Sequence, residues 1–297
     1  MNKPIRLKPH EIKALNLPIY THNRYRLSGE KLEQLLLLRE DQSEIKRLFF
    51  DIETSPNIVY TWRAGWNITV TPESIIEERK IICISYKWEN RPKVYRLVWD
   101  ANQNDKQMLI DFLVVANQAD EIIAHNGDRF DIKWIRTRCI YHRISMFPSY
   151  RSLDTLKKAK AGFYFNSNKL DYIARFLNVK AKMETGGYDL WKQVMKNDLE
   201  ALEIMGKYCD QDVIVLEAVY QEMKNYFKQN THQGVLDSKL KFSCPSCGSE
   251  KINYVKMVST AAGTVKRVMK CGPCGHTYEI SNASYILMLK FQSNNLL

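Results

Sequence analysis

The sequence contains no apolar run long enough to cross a bilayer. Its longest apolar stretches are interrupted by Lys and Arg, whereas a spanning helix needs about 20 consecutive apolar residues. The opening residues, Met1-Asn2-Lys3-Pro4-Ile5-Arg6, lack the apolar core of a secretory signal. Cysteine is sparse, seven in 297 residues, and nothing in its placement suggests the disulfide framework of a small secreted domain. Internal repeats and low-complexity tracts are absent too. These absences lead us to expect a soluble, cytoplasmic protein with no membrane partner. The chain length suits one large domain with a small appendage, and the 45% hydrophobic content is ample for a core.

Basic residues are in excess, with a formal charge of +11. The excess sits at the two ends. Residues 1–47 hold ten Lys and Arg against six Asp and Glu, and residues 239–297 hold eight against two. The middle is nearly neutral. Such a distribution points to a polyanionic partner gripped by flanking regions.

Pattern divides the chain into a basic N-terminal extension (1–46), a main domain (47–230), a polar linker (231–239) and a C-terminal module (240–297). In the extension, Pro4, Pro9 and Pro18 interrupt the chain. One helix is expected over 28–40, with Leu32, Leu35, Leu36 and Leu38 near one side. The main domain turns α/β. Strands are expected over 47–53, 81–88, 93–99 and 121–125, and residues 56–78 form a loop or hairpin insertion carrying Tyr60, Trp62 and Trp66. Helices are expected over 105–118, 130–142, 169–177 and 189–196, then a long one from Asp198 to about Phe227. Strands in succession followed by helices imply a mixed sheet covered by helices.

Asp51 and Glu53 lie two residues apart on an apolar strand and so share a face. Neighbouring carboxylates repel and resist leaving water, a cost that a hard cation between them removes. Asp212 falls on the apolar stripe of the long helix, between Cys209 and Leu216, with Tyr208 one turn earlier. The alternative is that Asp212 faces solvent while Asp210 or Gln211 faces inward. A fourth acid, Asp131, follows Asn126 and Phe130 near the start of a helix, just beyond a strand end. Strand ends commonly line sites. Four acids from one strand and two helices suit a pair of divalent cations about 4 Å apart. His125, at the end of an apolar strand, is expected to be structural and not a base.

In order and spacing, Asp51-Ile52-Glu53, Asn126 to Asp131 and Tyr208 to Asp212 resemble the three motifs of the DEDD 3′→5′ exonucleases, tyrosine branch, of the ribonuclease H-like superfamily. The resemblance covers roughly residues 46–227, and Asn168 to Ala174 is similar to a helix start in proofreading domains of B-family polymerases. It implies a ribonuclease H-like mixed five-stranded sheet flanked by helices. It also implies two Mg²⁺ or Mn²⁺ ions: Asp51 bridging both, Glu53 and Asp212 completing the ligands of the first ion, and Asp131 holding the second ion. Tyr208 would orient the attacking water, Asn126 and Phe130 would contact terminal nucleotides, and Lys169 a phosphate. The expected substrate is a single-stranded DNA 3′ end, with a separate polymerase or helicase as partner. An RNA-trimming enzyme and a non-catalytic nucleic-acid-binding protein stay open.

Cys244, Cys247, Cys271 and Cys274 form two Cys-x-x-Cys knuckles separated by 23 residues. Four thiolates so spaced match one structural, tetrahedral Zn²⁺, and four sulfur ligands leave no open catalytic position. A zinc ribbon is expected, with a hairpin turn at Thr260-Ala261-Ala262-Gly263. Its Lys256, Lys266, Arg267 and Lys270 suit nucleic acid or a protein partner.

Overall fold

The computed structural model describes the chain apart from residues 1–4, 8–11, 13, 19–23, 28, 35–44, 66, 147, 149, 180–186, 237–238 and 295–297. Chain contacts divide it into two compact units, Lys46–Asn230 and the pair Met1–Ile45 with Thr231–Leu297.

The first of these is built on five strands: β1 (Arg47–Thr54), β2 (Ile81–Trp88), β3 (Val94–Val98), β4 (Glu121–Ala124) and β5 (Arg151–Asp154). Their spatial order is β3-β2-β1-β4-β5. β1 runs antiparallel to β2 and parallel to β4, and β5 is parallel to β4. The sheet is therefore mixed. Among the described residues six α-helices accompany it: α1 (Lys106–Ala116), α2 (Asp131–Tyr141), α3 (Thr155–Gly162), α4 (Leu170–Phe176), α5 (Tyr188–Met195) and α6 (Leu199–Met223). All four expected strands and all five expected helices of this region are present within a few residues. The insertion contains a small ladder, Ile58–Val59 against Ile75–Glu77. β5 and α3 had no sequence assignment. β5 has four residues, and α3 (Thr-Leu-Lys-Lys-Ala-Lys-Ala-Gly) buries only Thr155 and Ala159, so neither writes a periodic apolar pattern.

β1 is buried on both faces, and its alternation sends each set of side chains to a different layer. Leu48, Phe50 and Ile52 join the core shared with α1 and α2, where Phe50 and Phe112 rings lie 5.3 Å apart. Phe49 faces the other way, into Val213, Leu216 and Tyr220 of α6. The face that carries Phe49 also carries Asp51 and Glu53.

In the second unit, Ile5–Arg6 pairs with Arg24–Tyr25 beside a cluster of Leu7, Ile12, Leu15, Tyr25 and Leu27. Residues 30–34 are helical, while Leu35, Leu36 and Leu38 of the expected helix lie outside the described residues. The segment read as a linker includes a helical turn, Gln233–Leu236, and the buried Gln233 side chain accepts from the Ile45 amide. β6 (Ile252–Ser259), β7 (Val265–Cys271) and β8 (Thr277–Ser281) form an antiparallel sheet followed by α7 (Asn282–Asn294). Phe242, Ile252, Met269, Ile280 and Met288 are its core. Among the described residues no helix is long and apolar enough to cross a membrane.

Candidate active site

The acids on β1 meet α6. Asp198 starts that helix, its carboxylate accepting from the Glu200 and Ala201 amides, the capping that leaves fewer N–H groups unpaired. The buried stripe of α6 runs through Met205, Cys209, Val213, Leu216 and Tyr220, and Asp212 lies within it at 6% exposure. Carboxylate oxygens of Asp51, Glu53 and Asp212 all lie within 4.8 Å of one another. Asp210 points elsewhere. It accepts from Ser85 Oγ at 2.6 Å and pairs with the Arg96 guanidinium at 2.5 Å. The inward acid of this turn is thus Asp212. Tyr208, half-buried, stands one turn before it. Beneath the cluster the Cys209 thiol donates to the Asp51 carbonyl at 3.4 Å, and burial pushes that thiol well up. A bulge shifts the β1–β2 register between Glu53 and Thr54. The Trp191 indole N–H caps the strand end at Thr54 O, 3.1 Å away.

Asp131 is not in the three-acid group. It opens α2, is 2% exposed, and its Oδ1 accepts no hydrogen bond from the described residues. Burial pushes its carboxyl up to about 7; its own amide and that of Ile52 oppose this, and the Asp154 charge adds to it. Asn126 adopts a left-handed backbone (φ 70°), and Gly127 is tightly seated: a Cβ there would come 2.5 Å from Ala124 Cβ. Phe130 is half-buried against the α1–α2 core. His125 Nε2–H donates to Asn168 O at 2.9 Å, and Nδ1 faces Thr155 Oγ1 at 2.9 Å. Both ring nitrogens are thus engaged, one with a backbone carbonyl and one with a side-chain hydroxyl. Lys169 is exposed at the start of α4. Tyr60 and Trp62 are 80% and 102% exposed, so core packing does not account for them; Trp66 lies outside the described residues.

Asp154 went unnoticed in the sequence. It is buried, and its Oδ1 accepts from the amides of Asn126 (3.0 Å), Leu156 (2.9 Å) and Lys157 (3.3 Å), while Oδ2 accepts from Asp128 (3.3 Å). One carboxylate therefore caps α3 and pins the loop that leads into Asp131. An Asp-Thr pair before an unpatterned helix was the available signal.

Three carboxylates at this separation repel unless a cation or proton intervenes. The orphaned oxygen of Asp131 nearby makes the same demand, so the donor set fits hard divalent cations with oxygen ligands. The four cysteines fit a different ion. Their sulfurs lie within 4.8 Å of one another, with Cys244–Cys274 at 3.6 Å and Cys247–Cys271 at 3.5 Å. Tetrahedral zinc with bonds of about 2.3 Å would set sulfurs roughly 3.8 Å apart. Gly248 and Gly275 supply the left-handed turns (φ 68° and 72°), their amides returning to Cys244 and Cys271 carbonyls.

Residues 75–224 match the family described as the RNase H superfamily. The chain belongs to the RNase H superfamily. The matched stretch includes Asp131, Tyr208 and Asp212; Asp51 and Glu53 precede it. Among solved structures, the family B DNA polymerase from the hyperthermophilic archaeon Pyrobaculum calidifontis is similar at 14% identity and a TM-score of 0.48, over 61% of this chain. The RNase H-like chain covers 25% of that polymerase's length. No curated protein matches it.

Proposed function

We propose that the chain is a metal-dependent 3′→5′ exonuclease that hydrolyses phosphodiester bonds at single-stranded DNA ends. The observation that carries this reading is the convergence of Asp51, Glu53 and Asp212 within 4.8 Å on one side of an RNase H-like sheet. Asp51, Glu53 and Asp212 would hold a first divalent cation and Asp131, which accepts from the Ile52 amide, would serve a second. Bound there, such cations lower the pKa of a water and offset charge on the phosphate. The protein's own part is orientation. The Tyr208 hydroxyl, one turn from Asp212, aligns the attacking water, and Asn126 and Phe130 hold the terminal nucleotides by hydrogen bond and stacking. Lys169 meets a phosphate. One water is consumed, one P–O bond breaks, and the proton passes to the departing 3′ oxygen of the shortened strand.

The test is digestion of matched DNA and RNA oligonucleotides labelled at either end, with Mg²⁺ or Mn²⁺. Stepwise loss from the 3′ end of DNA is expected. Asp51→Ala and Asp212→Asn should each cut the rate by at least about a thousandfold while end-binding persists. Attack from the 5′ end, or no hydrolysis with either cation, would sink the reading; preference for RNA would replace the substrate.

A further inference from the structure

Strand register sorts the basic residues of the ribbon onto two faces. Arg267, Met269 and Cys271 of β7 share a face with Ile252 and Tyr254 of β6 and with Tyr278 and Ile280 of β8. That face is the core side, where Met288 of α7 packs. Arg267 lies there over the Tyr285 ring (5.0 Å) and the Tyr254 ring (6.0 Å), and it donates to Asn282 Oδ1. It is a structural cation, removed from the surface set to which the sequence assigned it. Lys256, Lys266 and Lys270 take the opposite face, around Val268. Lys256 and Lys270 are exposed, and Lys266 pairs with Glu279 at 2.8 Å.

The spacing is regular. Lys266 and Lys270 are four residues apart on β7, about 14 Å at roughly 3.4 Å per residue. Lys256 sits one strand over, opposite Val268, midway between them. Three cations against one acid thus form a shallow positive track. Val258 and Val268 lie on this face, Val255 stands exposed on the bulge beside Lys256, and among the described residues the face carries no aromatic ring. An interfacial membrane anchor needs an apolar face to insert, and base recognition by stacking needs aromatic platforms. This face offers neither.

We infer that the Lys256–Lys266–Lys270 face grips the phosphate backbone of nucleic acid without reading its sequence. The inference rests on the nucleic-acid reading above but does not depend on turnover.

The experiment uses the full, zinc-loaded chain carrying Asp51→Ala, with and without the triple change Lys256→Ala, Lys266→Ala and Lys270→Ala. Affinity for a mixed-sequence oligonucleotide is followed across a salt series. Each phosphate contact contributes a slope of about 0.7 on single strands and 0.9 on duplex. The triple variant should therefore bind with a slope shallower by about 2 or 3, respectively, and at least tenfold more weakly at low salt. An unchanged slope in a triple variant that retains its zinc would overturn the inference. So would an equal fall caused by Lys290→Ala on α7, which would reduce the effect to net charge. Loss of binding to phosphatidylserine vesicles with nucleic-acid binding intact would also overturn it. If the wild-type chain hydrolyses nothing yet the slope falls as expected, the nuclease reading fails and this one stands.

Discussion

Asp131 shows how one buried acid can register the state of its surroundings. Its carboxyl is pushed to about 7 from an ordinary 3.8, chiefly by burial. A raised folded-state value means the group supports the fold fully below about 4 and withdraws that support as pH climbs through about 7. In zinc-loaded protein free of Mg²⁺, the main unit should lose thermal stability between those limits. Asp131→Asn should flatten that dependence, overtaking wild type at pH 8 and converging with it below about pH 4. Melting curves across pH check this, and an identical slope in the variant would contradict it. Asp154 acts through four amides and not through substrate, which makes it a positioning residue. Asp154→Ala should cost about 1 to 2 kcal/mol as a lost helix cap. It should also raise KM at least tenfold by releasing the Asn126 loop. Asp154→Asn keeps the Oδ1 acceptor, so it should recover most of the KM, as steady-state kinetics would show.

At the scale of elements, helix preference and packing disagree at Gly206. Glycine inside a helix costs about 1 kcal/mol relative to alanine, yet Gly206 lies in the middle of α6. Arg96 explains it: a Cβ at 206 would fall 2.4–2.6 Å from the guanidinium and its stem. That guanidinium binds Asp210 and Glu203. Gly206→Ala should therefore fail to gain the propensity benefit and should destabilise the protein by about 1 kcal/mol or more; urea denaturation gives the sign. The same helix shows what the sequence could reveal. Period 2 in β1 and period 3.6 in α6 each forced an acid inward, so Asp51, Glu53 and Asp212 were legible before any coordinates. β5 and α3 were not, because an edge strand of four residues and a lysine-rich helix bury too few apolar groups to write a pattern. Asp154 escaped for a related reason: its partners are backbone amides, which every residue except proline carries. The place of Arg267 depended on register, which a bulge between Tyr254 and Lys256 displaces by one residue.

For the whole molecule, the two metal chemistries predict separate responses. The ribbon core is small, Phe242, Ile252, Met269, Ile280 and Met288, and modules of this size draw much of their folding free energy from zinc. Removing zinc should open residues 240–297 to protease while residues 46–230 stay resistant. Mass spectrometry of the fragments would decide it, and uniform cleavage of both regions would count against a structural ion.

The acid cluster also has a history within each synthesis. Cys209, which touches the Asp51 carbonyl, lies 158 residues further along the chain. At translation rates of about 5 to 20 residues per second, roughly 8 to 30 s pass after Asp51 is made before its α6 partners exist. A growing polypeptide therefore carries Asp51 and Glu53 without Asp212 for that interval, and the three-acid group closes only once α6 has been made.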